Sequence, residues 1–206
     1  MKKNQKLSAY LLSTFMLLSV FSLVSCKKGE DDPGITFRSR KARIVNDWQL
    51  KSGTVMIKTF PPVGGSFQTN INYNEGGFYN VSSTNGATQK GNYEIELSMF
   101  KDGRFTKEHN ETPEGMTRGT STEEGTWHFA GGGGNEKKRE LLTLYKEKST
   151  FISQNTTMTT SINYNGGNLF RIERLANNEL VLKANQRVTN GGTISEIEEV
   201  WNFIPR

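Results

Sequence analysis

Apolar and polar residues alternate with a period of two along most of the chain beyond residue 43. Tyr93, Ile95, Leu97 and Met99 fall on one face of an extended segment, and Glu94, Glu96 and Ser98 on the other. That is the pattern of a half-buried strand. Lys101-Asp102-Gly103 follows as a tight turn, because Asp-Gly accepts the positive φ of a hairpin, and Arg104 to Lys107 return. Gly125, Trp127 and Phe129 oppose Glu124, Thr126 and His128, and Leu142 and Leu144 begin another strand. Phe170 and Ile172 alternate with Arg171 and Glu173. Asn177-Asn178 then turns the chain into Leu180, Leu182 and Ala184. After Asn190-Gly191-Gly192, a last strand places Ile197, Trp201 and Phe203 on one face and ends before Pro205. No window carries a sustained i, i+3, i+4, i+7 apolar stripe. Short strands with turns at near-regular spacing predict an all-β fold, an antiparallel barrel or a sandwich.

Two stretches interrupt the alternation. Phe60 to Gly91 is diluted by glycine and asparagine and reads as a long insertion. It contains Ile71-Asn72-Tyr73-Asn74 before Gly76-Gly77, which is echoed by Ile162-Asn163-Tyr164-Asn165 before Gly166-Gly167. The echo reads first as two strand-turn-strand units sharing one turn chemistry. The functional alternative is a pair of rim loops presenting Tyr73 and Tyr164 to a ligand. The second stretch is Gly131 to Gly134, which reads as a hairpin tip. It lacks the Gly-Lys-Ser/Thr and the following helix of a phosphate loop.

The first 25 residues follow a different rule. Lys2, Lys3 and Lys6 precede a serine-bearing apolar run from Leu7 to Val24. A basic start, a short apolar core and a small residue before the cut make a secretory signal. Setting this segment aside takes the formal charge from +5 to +2, so a polycation and a nucleic-acid binder are not expected. Val, Ile, Leu and Phe then number 37 of 181 residues, enough for a thin-cored folded domain. Gly, Thr and Asn make up 59 of those 181, and all three are poor helix formers.

The residues around the cut resemble the bacterial lipobox, here Leu23-Val24-Ser25-Cys26. The resemblance implies that Cys26 receives a diacylglyceryl thioether, that residues 1–25 are removed, and that the new amine is open to acylation. Stable anchoring needs about two lipid signals, which such a cysteine supplies. Lys27, Lys28, Gly29, Glu30, Asp31 and Asp32 resemble the surface-export signal of Bacteroidota-type lipoproteins. The expected organisation is a signal over 1–25, a lipidated Cys26 with a flexible tether over 26–42, and a β domain over 43–206. Cys26 is the only cysteine, so no disulfide, cysteine metal site or cysteine nucleophile is expected.

Trp48 near the first strand, the hairpin through Asp102-Gly103, Gly125-Thr126-Trp127 and the final Trp201-Asn202-Phe203-Ile204 are together similar to the lipocalin-like lipoproteins of Bacteroidota-type outer membranes. The likeness covers about residues 43–206. It implies a lipocalin-like barrel, with a flattened barrel or sandwich as the alternative. Trp48, Trp201 and Phe203 are then core. Trp127 and Phe129, with Tyr73 and Tyr164, are the candidate ligand contacts. Asn46 stands where lipocalins place the glycine before this tryptophan, and Arg187 is the candidate for the arginine that covers it.

Catalytic and metal chemistry is not advertised. His109 reads as part of a charged loop with Glu108 and Glu111, and His128 lies on a polar strand face, so both read as surface histidines. No nucleophile elbow appears. Alternation turns most of Glu123, Glu124, Glu196, Glu198 and Glu199 outward. The expected function is therefore non-catalytic binding of a small apolar or amphipathic ligand, without cofactor or metal. The expected location is the outer membrane, held by lipid on Cys26 and facing the cell surface. The alternative is an accessory lipoprotein docking on a larger outer-membrane protein through loops at 64–91 and 110–125.

Overall fold

The computed structural model describes residues 39–131, 140–153, 156–161 and 167–206. Cys26, the signal and most of the tether lie outside the described residues, as do Tyr164 and 132–139.

The first element among the described residues is a single helical turn, α1 (Arg40–Ile44). Ser39 starts it: its hydroxyl accepts the Ala42 amide at 3.1 Å, meeting one of the free N–H groups of a helix start. Eleven strands follow among the described residues. They are β1 (Asp47–Phe60), β2 (Phe67–Asn74), β3 (Phe78–Ser83), β4 (Thr88–Met99), β5 (Arg104–Pro113) and β6 (Gly119–Ala130). Then come β7 (Leu141–Ser153), β8 (Thr156–Ser161), β9 (Asn168–Leu175), β10 (Leu180–Asn190) and β11 (Thr193–Pro205).

All described pairings are antiparallel, and they close a ten-stranded barrel. The last strand shuts it against the first, from Trp48 opposite Pro205 to Phe60 opposite Ile194. The β6–β7 ladder completes the ring, while β8 continues the sheet from the upper half of β7. One continuous sheet closed through β6–β7 is a barrel and not two packed sheets, so the sandwich alternative is excluded.

The barrel has two unlike ends. At its start β1 pairs directly with β4, Trp48 opposite Leu97. From Gly53 onward it pairs with β2 instead, Val55 opposite Ile71. The β2–β3 hairpin is thus a wedge that splits β1 from β4 and widens one end. The supposed insertion at Phe60–Gly91 is therefore barrel wall: β2, β3 and the start of β4. Its many asparagines and glycines obscured the alternation without breaking it. Of the two echoed units, the first is the strand-turn-strand of the simpler reading. Its turn needs Gly77, whose φ is +82° and whose carbonyl accepts the Tyr93 amide at 2.7 Å.

Inward positions of the narrow half make a dry core. Ile44, Ile95, Leu142, Leu175 and Leu180 are fully buried, with Trp48, Leu97, Phe105 and Phe203 nearly so. Burying each such side chain contributes about 1.5–3 kcal/mol. The Trp48 indole N–H donates to the Ile44 carbonyl at 2.9 Å, and Arg43 of α1 donates to the Leu175 carbonyl. The helix therefore lids the narrow end. Arg187 does not cover Trp48: it lies exposed on β10 opposite Glu196, in the wide half. The buried arginines next to Trp48 in sequence are Arg40 and Arg43 of the lid.

Many outward positions are polar: Glu94, Glu108 and Lys183 are exposed, and Glu96 is partly so, while Phe78 and Ile204 are exposed apolar exceptions.

Candidate functional site

The strand β5 sets the character of the interior. Its inward positions are Phe105, Lys107, His109 and Glu111, because side chains on one face recur every second residue. Phe105 is buried in the apolar floor. The next three lie higher, in the wide half, where they are partly exposed. His109 is thus an inward strand residue, not a surface loop residue. Its outward neighbour Glu108 is charged as well, so a pattern of charge alone does not reveal which face His109 takes.

Across the barrel, β2 brings Tyr73, buried to 5 % exposure. Its hydroxyl donates to Glu111 Oε1 at 3.1 Å, and His109 Nε2 meets the same oxygen at 2.8 Å. The Tyr73 ring packs on Trp201 of β11 with centroids 5.4 Å apart and edge-on to Tyr93 of β4 at 5.0 Å. Trp201 in turn donates its indole N–H to Glu199 at 2.9 Å. The Lys107 ammonium rests 5.1 Å from the Trp201 ring, an attraction of about 0.5–2 kcal/mol. Contacts from β2, β5 and β11 thus meet inside the barrel as one polar and aromatic layer above the apolar floor.

Electrostatics follow from this geometry. Burial pushes the Tyr73 phenol well above its ordinary range, and the Glu111 carboxylate pushes it further. Burial also raises Tyr93, whose hydroxyl donates to the Asn74 carbonyl at 2.9 Å. For Glu111, burial acts upward, but the His109 hydrogen bond and charge and the Tyr73 hydroxyl outweigh it and hold the carboxyl below its usual value. Tyr73 is a neutral donor and Glu111 an ionised acceptor at neutral pH.

Above the layer opens a recess of about 270 Å³ lined by His109, Glu111, Gly119, Ser121 and Phe151, among others. Its volume is near the lower bound of ligand pockets, about 300 Å³. One wall carries hydrogen-bonding groups and the other the half-exposed Phe151 ring. Beside it, Lys146 and Glu123 form an ion pair. Such a recess can hold a polar group by hydrogen bonds and an apolar group by contact. Among the described residues, no group of three or more His, Cys, Asp or Glu side chains is gathered as a metal ion would require.

The candidate residues from the sequence are distributed unevenly. Tyr73 lies in the layer under the recess. Trp201 joins it there as core, at 8 % exposure. Trp127 is buried in the narrow half, its indole N–H bonded to the Phe100 carbonyl at 3.1 Å, and Phe129 packs edge-on against it at 5.7 Å. Neither lines the recess. Tyr164 lies outside the described residues. Of the five glutamates, Glu124, Glu196 and Glu198 face out, while Glu123 and Glu199 are partly buried. His128 is exposed and stacks on Tyr145 at 5.1 Å. The segments expected as docking loops, 64–91 and 110–125, are mostly strand. Lys107, His109, Glu111, Ser121 and Phe151 were not anticipated as a group.

No protein family, curated protein or solved structure matches this chain.

Proposed function

We propose that this protein is a lipid-anchored outer-membrane lipoprotein whose lipocalin-like barrel binds one small amphipathic molecule, without catalysis, in its wide half. The observation that carries the reading is the two-sided recess. His109, Glu111 and Ser121 offer donors and acceptors beside the exposed ring of Phe151, over a floor that is already packed. A ligand places its polar end on that wall and its apolar part toward the mouth, where Phe67 and Val188 are exposed at inward positions. The polar groups fix orientation and the apolar contact supplies most of the affinity. Anchoring rests on the Leu23-Val24-Ser25-Cys26 motif and the signal before it.

Titration of the purified full chain with an anilinonaphthalene sulfonate dye tests this. Ser121→Trp fills the recess and abolishes dye binding while the melting temperature stays near native. Unchanged dye binding in that variant overturns the reading.

A second reading, docking on a larger membrane protein, is favoured by apolar side chains exposed around the wide mouth: Val63 at 87 %, Met116 at 66 % and Met158 at 61 %. Co-purification of a stoichiometric partner after gentle detergent extraction distinguishes it.

A further inference from the structure

A second recess lies on the outside of the barrel, where the β2–β3 wedge parts β1 from β4. It is an open recess of about 750 Å³, and Gln49, Asn92, Asn110, Glu94 and Phe78 contribute to its lining. It does not end there. A neighbouring recess of about 630 Å³ shares Phe78, Asn92 and Thr112 with it. A third, of about 670 Å³, shares Lys90, Glu114 and Met116 with the second. The three join end to end over β3, β4 and the β5–β6 loop, away from the interior recess at His109.

The chemistry of this groove is distinctive. Its charges cancel locally: Lys51 pairs with Glu75 at 3.0 Å and Arg118 with Glu94 at 3.5 Å, so it does not select an ion. Amide side chains offer donors and acceptors together. Phe78 is 60 % exposed, a large ring held out of the core beside Gly76. Backbone groups are spent elsewhere, since Asn92 sits in the ladder between Phe78 of β3 and Thr112 of β5. An extended peptide that adds to a sheet needs a free edge, and this wall offers side chains instead.

We infer that the outer groove binds a neutral, linear oligosaccharide. Sugar hydroxyls both donate and accept, matching Asn92 and Gln49, whereas the buried Asn110 amide is already held by Glu108 and Thr120. The C–H face of a sugar ring suits the electron-rich face of an exposed aromatic, here Phe78. A groove of three joined recesses calls for a chain of sugar units rather than a monosaccharide.

Calorimetric titration of the purified full chain tests this with four probes, cellohexaose, maltohexaose, xylohexaose and mannohexaose, beside glucose and a Gly-Ser hexapeptide. The expected result is that at least one hexasaccharide binds, at least about tenfold tighter than glucose, and that Phe78→Ala or Asn92→Ala weakens it about tenfold or more. Both side chains are exposed, so both variants keep a near-native melt, and Ser121→Trp in the interior leaves the binding unchanged. Absence of binding by all four hexasaccharides overturns the inference, as does binding that survives Phe78→Ala, or binding of the hexapeptide in their place.

Discussion

Truncating Trp201 removes the piece that ties the aromatic layer to the closing strand. The side chain is 8 % exposed. It packs tilted against Tyr73 at 5.4 Å, carries Lys107 at 5.1 Å and donates to Glu199 at 2.9 Å. Gly53 on β1 is small enough to admit it: a Cβ there would stand 3.0 Å from the indole. Replacing a buried tryptophan by alanine costs about 3–5 kcal/mol. The lower end applies here, because Trp201 borders the wetter half and water can enter the space it leaves. About 3 kcal/mol corresponds to a fall of roughly 6–12 °C in melting temperature for a domain of this size. Trp201→Phe keeps the ring contact with Tyr73 and recovers much of the loss. Circular-dichroism melts of the full chain in detergent measure both. A Trp201→Ala melt within about 2 °C of wild type refutes the packed layer and the closed barrel it spans.

Gly125→Ala is more severe, because its Cβ would fall 1.9 Å from the Tyr145 carbonyl oxygen at the β6–β7 irregularity; soluble yield and melts should both drop. The depressed carboxyl of Glu111 stabilises the fold fully above the ordinary glutamate value of about 4.3, and that contribution is lost as pH falls through the lower folded value. Glu111→Gln therefore flattens the acid limb of melting temperature against pH. Tyr73 behaves oppositely: its raised phenol stabilises fully below about pH 10 and the contribution is lost as pH rises further, so Tyr73→Phe flattens the alkaline limb. Cys26→Ala abolishes fatty-acid labelling of the chain and releases it from the membrane fraction.

The strands were legible wherever one face is apolar. Tyr93 to Met99 and Leu180 to Ala184 alternate cleanly because they line the dry floor. The inward face of the last strand followed from Ile197, Trp201 and Phe203, and the barrel from the family resemblance. Three parts were hidden for physical reasons. In β2 and β3 the inward face is carried by Ile71, Tyr73, Tyr79 and Val81 among asparagines and serines, so turn-forming residues masked a period of two. On β5 the alternation Phe105, Lys107, His109, Glu111 was present, but its inward members become charged once they rise above the floor, and charge was read as exposure. The position of the recess depends on which strands meet across the barrel, and that register is long-range. Tyr73 reaches Glu111 over 38 residues, a distance at which local pattern carries no information. The lid formed by α1 was missed because a single turn is too short to show a helical stripe.

Native mass spectrometry of the full chain, purified in mild detergent from a membrane fraction, tests the binding claim most directly. Wild type is predicted to carry one small amphipathic molecule per chain in addition to the lipid proposed for Cys26, and Ser121→Trp to lose only the former. A wild-type chain that is folded and lipidated, yet holds no such mass and takes up none from a lipid extract, contradicts it.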